Sequence, residues 1–151
     1  MKKLILMIAV ASLFSVGACG QSSKNVPANA KTFVSQKFPN ATNIKWGKES
    51  SKEWEAEFKV NGKKFSATFD NNGAWMESEY EITANEIPNA VNATIQKSFA
   101  GYKITLSEIS ETKDGKVYEF GLAKGKEKLE VAIDASGKVI TKENAKEDEE
   151  D

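Results

Sequence analysis

The sequence predicts an α+β protein in which one helix and an antiparallel meander of about four strands occur twice in tandem. Two observations predict this class. The apolar period changes from about four residues to two after each of two proline-containing segments, and glycine-containing turns separate the strand-like stretches that follow. Landmark residues of the first half also recur in order in the second half, which predicts a repeat. The two units are predicted at residues 26–82 and 83–141.

Each predicted helix opens with an apolar residue and a proline, which is favoured in the first turn of a helix. Val26-Pro27 opens the first helix and Ile87-Pro88 opens the second, 61 residues later. The apolar residues that follow recur at intervals of three or four, so they share one helix face. They are Ala30, Phe33, Val34 and Phe38 in the first helix, and Val91, Ile95 and Phe99 in the second.

After each helix the apolar residues alternate, which is typical of strands with one buried face. In the first unit Trp54, Ala56 and Phe58 alternate with glutamates, and Asn61-Gly62 supplies a hairpin turn. The inward positions of all the other strands are predicted by the same alternation. They are Ile44 and Trp46; Phe65, Ala67 and Phe69; Met76, Ser78, Tyr80 and Ile82; Tyr102, Ile104 and Leu106; Tyr118, Phe120 and Leu122; Leu129, Val131 and Ile133; and Val139.

The repeat is supported by residues that match at an offset of 64. Trp54 aligns with Tyr118, and Asp70-Asn71-Asn72-Gly73 aligns with the turn that ends at Gly137. After the second unit, residues 142–151 contain six acids and two lysines, so this tail is predicted to be disordered and solvated.

The first eighteen residues have the layout of a secretory signal peptide: Lys2 and Lys3, an apolar run over residues 4–14, and small residues before Cys19. Residues 16–19 also resemble the bacterial lipobox. That resemblance implies cleavage before Cys19, lipid attachment to Cys19, and a membrane anchor with residues 19–25 as a tether. Because Gly20 rather than aspartate follows the cysteine, the resemblance to sorting signals implies the outer membrane, with the leaflet left open.

The composition excludes several classes of function. All 21 basic residues are lysine, histidine is absent, and the formal net charge is −1. Arginine's bidentate grip and a positive charge are both missing, so no nucleic-acid partner is predicted. Histidine-dependent zinc sites and nucleophile pairs are impossible. We therefore predict no catalytic residue, no cofactor and no metal ligand, and Asp70-Asn71-Asn72-Gly73 is interpreted as a hairpin turn rather than a calcium loop.

Three motifs of the first unit resemble a known family. They are Phe-Pro-Asn-Ala at residues 38–41, Ile-x-Trp at residues 44–46, and Asp-x-x-Gly-x-Trp at residues 70–75. The chain resembles the PepSY-like, β-lactamase-inhibitor-like family of envelope proteins over about residues 26–140. The resemblance implies tandem helix-plus-sheet units of the β-lactamase inhibitory protein type, and inhibition or peptidase regulation as the activity. The second unit departs from the pattern, because no tryptophan follows Gly137 and Ala100 replaces the motif proline.

The outward face of the first sheet is the predicted partner-binding surface. Trp75 is in phase with two glutamates of its strand, so alternation predicts that it points away from the helix. An exposed tryptophan among charges is typical of a binding hot spot, but such glutamates also keep a half-solvated sheet soluble. The candidate residues are Glu53, Glu55, Glu57, Lys64, Trp75, Glu77 and Glu79.

These predictions combine into a lipid-anchored cell-envelope binding module that engages an envelope protein or peptide through its exposed sheet faces. The resemblance adds inhibition or regulation of an envelope hydrolase or peptidase. Two alternatives stay open: a lipoprotein that binds a small ligand or cation on the glutamate face, and a purely structural envelope lipoprotein.

Overall fold

The computed structural model describes residues 25–145. The predicted signal peptide, Cys19 and most of the tether lie outside the described residues, as do residues 146–151 of the predicted tail. Neither helix of the described part is long and apolar enough to cross a membrane.

Two helices, each followed by four strands, make up the described chain. All eight strands form one antiparallel sheet in chain order. The α+β class agrees with the prediction, and the pairing of β4 with β5 joins the two predicted meanders into a single sheet. The elements are α1 (Ala28–Lys37), β1 (Ala41–Lys48), β2 (Glu53–Val60), β3 (Lys63–Asp70), β4 (Trp75–Glu81), a short 3-10 helix (Ala84–Glu86), α2 (Asn89–Ser98), β5 (Lys103–Thr112), β6 (Gly115–Lys124), β7 (Glu127–Asp134) and β8 (Val139–Asn144).

Both helices pack on the same face of this sheet and bury two apolar clusters against it. The face is continuous across the join, because Tyr80 of β4 lies opposite Ile109 of β5, which in turn lies opposite Tyr118 of β6. The buried members of the first cluster are Val26, Ala30, Val34, Trp54, Ala56, Phe58, Ala67 and Phe69. Those of the second are Val91, Ile95, Phe99, Phe120, Leu122, Leu129, Val131 and Ile133.

Each helix begins against a hairpin turn that only glycine can form. Gly73 has φ +80°, and a Cβ there would lie 2.8 Å from the Cβ of Pro27. Gly137 has φ +88°, and its Cβ would lie 2.7 Å from the carbonyl oxygen of Ala90. Positive φ and close backbone approach both require a residue without a side chain. The start of each helix is therefore seated on the last hairpin turn of its half.

Four β-bulges break the alternation that the sequence suggested. In β4, Trp75 pairs with Phe69 and Glu77 with Thr68, so Met76 is an extra residue. A bulge changes the face to which neighbouring side chains point. The prediction that Met76 is buried is therefore wrong. The large apolar residues at or beside the bulges of β1, β4, β5 and β8 are exposed by 38–42%: Ile44, Met76, Ile104 and Ile140.

The last strand continues three residues into the segment predicted as a disordered tail. Lys142 pairs with Val131, Glu143 with Glu130, and Asn144 with Leu129. Apolar side chains are scarce in this segment, which is why a disordered tail was predicted. An edge strand needs only backbone hydrogen bonds on one side, and charged side chains are common on such edges.

Candidate binding face

The sheet face opposite the two helices, here called the open face, carries the candidate site. Ser110 and Ala132 point to this face but are only 1% and 0% exposed. Both described helices pack on the other side, so no helix covers these two residues. The centre of the open face is therefore concave. A cleft of about 880 Å³ runs along it. Pockets of this size accommodate ligands and partner side chains.

The strand registers place ten glutamates on the open face against five lysines. The glutamates are Glu53, Glu55, Glu57, Glu77, Glu79, Glu81, Glu108, Glu119, Glu130 and Glu143; the lysines are Lys45, Lys59, Lys64, Lys103 and Lys128. Six of the seven residues predicted from the sequence are among them. Glu53 lies at the end of β2, where its carboxylate accepts a hydrogen bond from Ser50 Oγ at 2.9 Å, so it is peripheral.

Trp75 is the predicted site residue that lies elsewhere. Its ring stacks on Phe33 of α1 with 5.3 Å between centroids, and its Nε1 donates to Ser78 Oγ at 2.9 Å. Lys37 Nζ lies 4.3 Å from the ring centroid and 3.2 Å from Glu111 Oε1. The prediction that Trp75 points away from the helix is wrong, because the bulge at Met76 reverses its phase relative to Glu77. Trp75 is a packing residue that ties α1 to the sheet.

The centre of the open face also contains second-half residues that were not predicted from the sequence. Glu108 lies directly opposite Glu81 on one side and Glu119 on the other. Ser110 Oγ donates a hydrogen bond to Glu77 Oε1 across the same join. Their proximity depends on the pairing of β4 with β5, which alternation within each predicted sheet does not reveal. In the sequence, Glu108 and Glu119 alternate with apolar neighbours, and this alternation could have indicated that both glutamates point outward.

The central carboxyl groups are harder to ionise than ordinary glutamates. Burial raises the pKa of Glu79 to about 8, with further increases from Glu77 and then Glu119. Burial likewise raises the pKa of Glu119 to about 7, and nearby glutamates add to the rise. The pKa of Glu55 is also raised to about 7, first by burial and then by Glu49. Desolvation and like charges both disfavour a carboxylate, so the three shifts have the same origin.

Glu119 is the most enclosed of these groups. The residue is 3% exposed, and no hydrogen bond from residues 25–145 contributes to the pKa of its carboxyl group. Thr141, two strands away across Ala132, has a buried hydroxyl oxygen that lacks a hydrogen-bond partner within the described chain. Buried polar groups are nearly always paired in folded proteins. The centre of the open face therefore has unused hydrogen-bonding capacity.

Apolar groups border the carboxylates. Ile44, exposed by 42%, and Leu106 line the same cleft as Glu79 and Glu108. The prediction that Ile44 and Leu106 point inward is wrong, because β1 and β5 each contain a bulge that changes the phase of these residues. Leu106 lies opposite Gly121, where an added Cβ would lie 3.1 Å from the Cβ of Leu106. Within residues 25–145 no three acidic side chains are grouped closely enough to hold a metal ion. The face is suited to contacts that combine charge with apolar surface.

An eight-stranded antiparallel sheet with two helices on one face is the fold of proteins like the β-lactamase inhibitory protein. The family model described as "Putative beta-lactamase-inhibitor-like, PepSY-like" matches residues 52–141, and the chain belongs to this family. The resemblance inferred from the sequence motifs is thereby confirmed. The family description likens its members to β-lactamase inhibitors.

Solved structures show the same fold at low sequence identity. A DUF2874 family protein from Bacteroides uniformis superimposes with a TM-score of 0.72 at 18% identity, covering 79% of this chain and 89% of that one. A BLIP-like protein from Bacteroides fragilis gives a TM-score of 0.71 at 21% identity, covering 82% and 92%. Among curated proteins, none matches this chain.

Proposed function

We propose that this protein is a cell-envelope binding module that holds another envelope protein or peptide on its open face. The hollow, uncovered sheet with its cleft of about 880 Å³ carries the proposal. Both described helices occupy the opposite side, so nothing in residues 25–145 competes for this surface. Membership of an inhibitor-like family supports the inhibition or regulation of an envelope hydrolase or peptidase as the form that binding takes.

We also propose that the module is lipid-anchored through Cys19, most simply in the outer membrane. The lipobox-like residues 16–19 and the polar stretch that follows support this attachment. Several acyl chains at one terminus give stable anchoring. Replacing Cys19 with serine should abolish the incorporation of radiolabelled palmitate into the protein in growing cells. Equal palmitate labelling of the wild type and of the Cys19→Ser protein would contradict the proposal.

We infer further that the two halves descend from one duplicated helix-plus-meander unit. The bulge at Met76 and the bulge at Ile140 occur at the same offset of 64 residues as Gly73 and Gly137. Matching irregularities support a shared origin more strongly than matching regular strands do, because bulges are specific features of a fold. In this view the open face is built from two equivalent half-faces.

A bulky side chain at the centre of the open face tests the binding proposal. Ser66 lines the cleft between β2 and β4, whereas Gln96 is exposed on α2. We expect Ser66→Trp to abolish chemical cross-linking of the protein to its envelope partner, and Gln96→Trp to leave it unchanged. Circular dichroism establishes that both variants fold. Equal cross-linking by both folded variants would place the partner elsewhere and overturn the proposal.

A cation-binding lipoprotein is the rival function that the glutamates favour. Binding to the folded state alone raises the melting temperature. Because the described residues form no three-ligand group, we expect millimolar calcium to leave the melting temperature within about 1 °C. Magnesium at the same ionic strength is the control for screening. A rise of several degrees with calcium alone would favour the cation-binding function instead.

A further inference from the structure

We infer that the partner presents a basic segment, an extended stretch bearing lysine or arginine side chains, to the centre of the open face. This inference rests on the proposed function and adds the chemistry of the partner. It is carried by the arrangement of carboxyl groups, by the burial of Glu119, and by the apolar border of the cleft.

The carboxyl groups oppose one another across neighbouring strands. Glu81, Glu108 and Glu119 occupy directly opposed positions on β4, β5 and β6. Like charges directly opposite are destabilising in a sheet. A positive group placed between two opposed carboxylates stabilises this arrangement, because it is attracted to both of them.

The burial of Glu119 is a second, independent indication. Glu119 is 3% exposed as a residue, its pKa is raised first by desolvation, and no hydrogen bond from residues 25–145 offsets that desolvation. None of the five lysines of the open face lies directly opposite Glu119 or Glu79 in the strand pairing. Glu119 lies opposite Glu108 and Ala132, and Glu79 lies opposite Ser66 and Ser110. A donor from outside the chain would complete the site.

The spacing favours a segment of polypeptide over a compact ion. Glu55, Glu79, Glu108, Glu119 and Glu130 follow one another from β2 to β7. Five strand spacings correspond to about 24 Å across the sheet, and the registers also stagger these glutamates along the strands, so a segment that reaches all of them needs at least about seven extended residues. The apolar side chains of Ile44 and Leu106 in the cleft suit the methylene stems of lysine or arginine. The raised pKa values of Glu79 and Glu119 agree with a site whose cation is supplied from outside.

A synthetic decapeptide of alternating lysine and threonine is the probe, titrated calorimetrically into the purified protein at about pH 8. We expect salt-sensitive binding that weakens about tenfold in Glu119→Gln and in Glu79→Gln. Asp114→Asn removes one negative charge from the exposed β5–β6 turn and should change the affinity less than twofold. A glutamate–threonine decapeptide should not bind.

Several results would overturn the inference. They are the absence of lysine-peptide binding, equal weakening by Asp114→Asn, and equally tight binding of spermidine or calcium, which would indicate non-specific charge attraction. The cross-linking experiment separates this failure from that of the proposed function. If the double variant Glu79→Gln/Glu119→Gln keeps its envelope partner while Ser66→Trp loses it, the open face is the binding surface and the basic segment is wrong.

Discussion

The buried carboxyl groups of the open face make the stability of the protein depend on pH. The folded-state pKa values of Glu79, Glu55 and Glu119, about 8, 7 and 7, exceed the ordinary value of 4.5. Between about pH 4.5 and 8 the folded chain therefore binds more protons than the unfolded chain, and the free energy of unfolding falls as the pH rises. Below this window the lowered pKa values of Glu86, Asp70 and Asp134 act in the opposite direction.

We predict that the protein is several kcal/mol more stable at pH 5 than at pH 8, measured by urea unfolding. Replacing Glu55, Glu79 and Glu119 with glutamine should flatten this dependence and stabilise the protein at pH 8. Greater stability of the wild type at pH 8 than at pH 5 would show that these groups are ionised without penalty.

Trp75 is expected to act through packing rather than through direct partner contact. Its ring stacks on Phe33 and also contacts the cation of Lys37, so Trp75→Ala should cost about 2–3 kcal/mol of unfolding free energy. Met76 is 42% exposed at the adjacent position, and Met76→Ala should cost less than about 0.5 kcal/mol. Equal effects of the two substitutions on thermal unfolding would show that Trp75 is not packed against α1 while Met76 is exposed.

At the scale of elements, the docking of each helix on a turn glycine gives a further prediction. Gly62 and Gly73 both have positive φ, but only Gly73 lies against a helix; a Cβ at Gly62 would meet nothing within 4 Å. We expect Gly62→Ala to cost about 1 kcal/mol and Gly73→Ala about 2–3 kcal/mol or more. Denaturant unfolding measures both. A similar cost for the two would mean that α1 shifts freely away from the turn.

The regular parts of these elements could be predicted from the sequence, and the irregular parts could not. The proline before each helix and the alternation in β2 and β3 gave the correct elements and inward faces. The bulges at Met76 and Ile140 leave no signature in a period-two pattern, so the face of Trp75 was predicted wrongly. The extension of the last strand from residue 142 to Asn144 was missed because backbone pairing with β7, rather than apolar side chains, holds it.

At the scale of the whole molecule, the pairing of β4 with β5 creates the candidate site. It places Glu81 beside Glu108 and lets Ser110 reach Glu77, so neither half alone contains the acidic centre. The ion pair between Lys37 of α1 and Glu111 of β5 bridges the same join on the helix side. Glutamates of the first half were predicted as site residues from their outward phase. Their second-half partners required knowledge of this pairing, which depends on contacts distant in sequence.

The central claim is that the open face, and not the helix face, contacts an envelope partner. A photo-reactive amino acid placed at Ser66 in growing cells, with the same residue at Gln96 as the control, tests it most directly. The account predicts one discrete cross-linked partner from Ser66 and none from Gln96. A partner captured from Gln96 but not from Ser66 would contradict it.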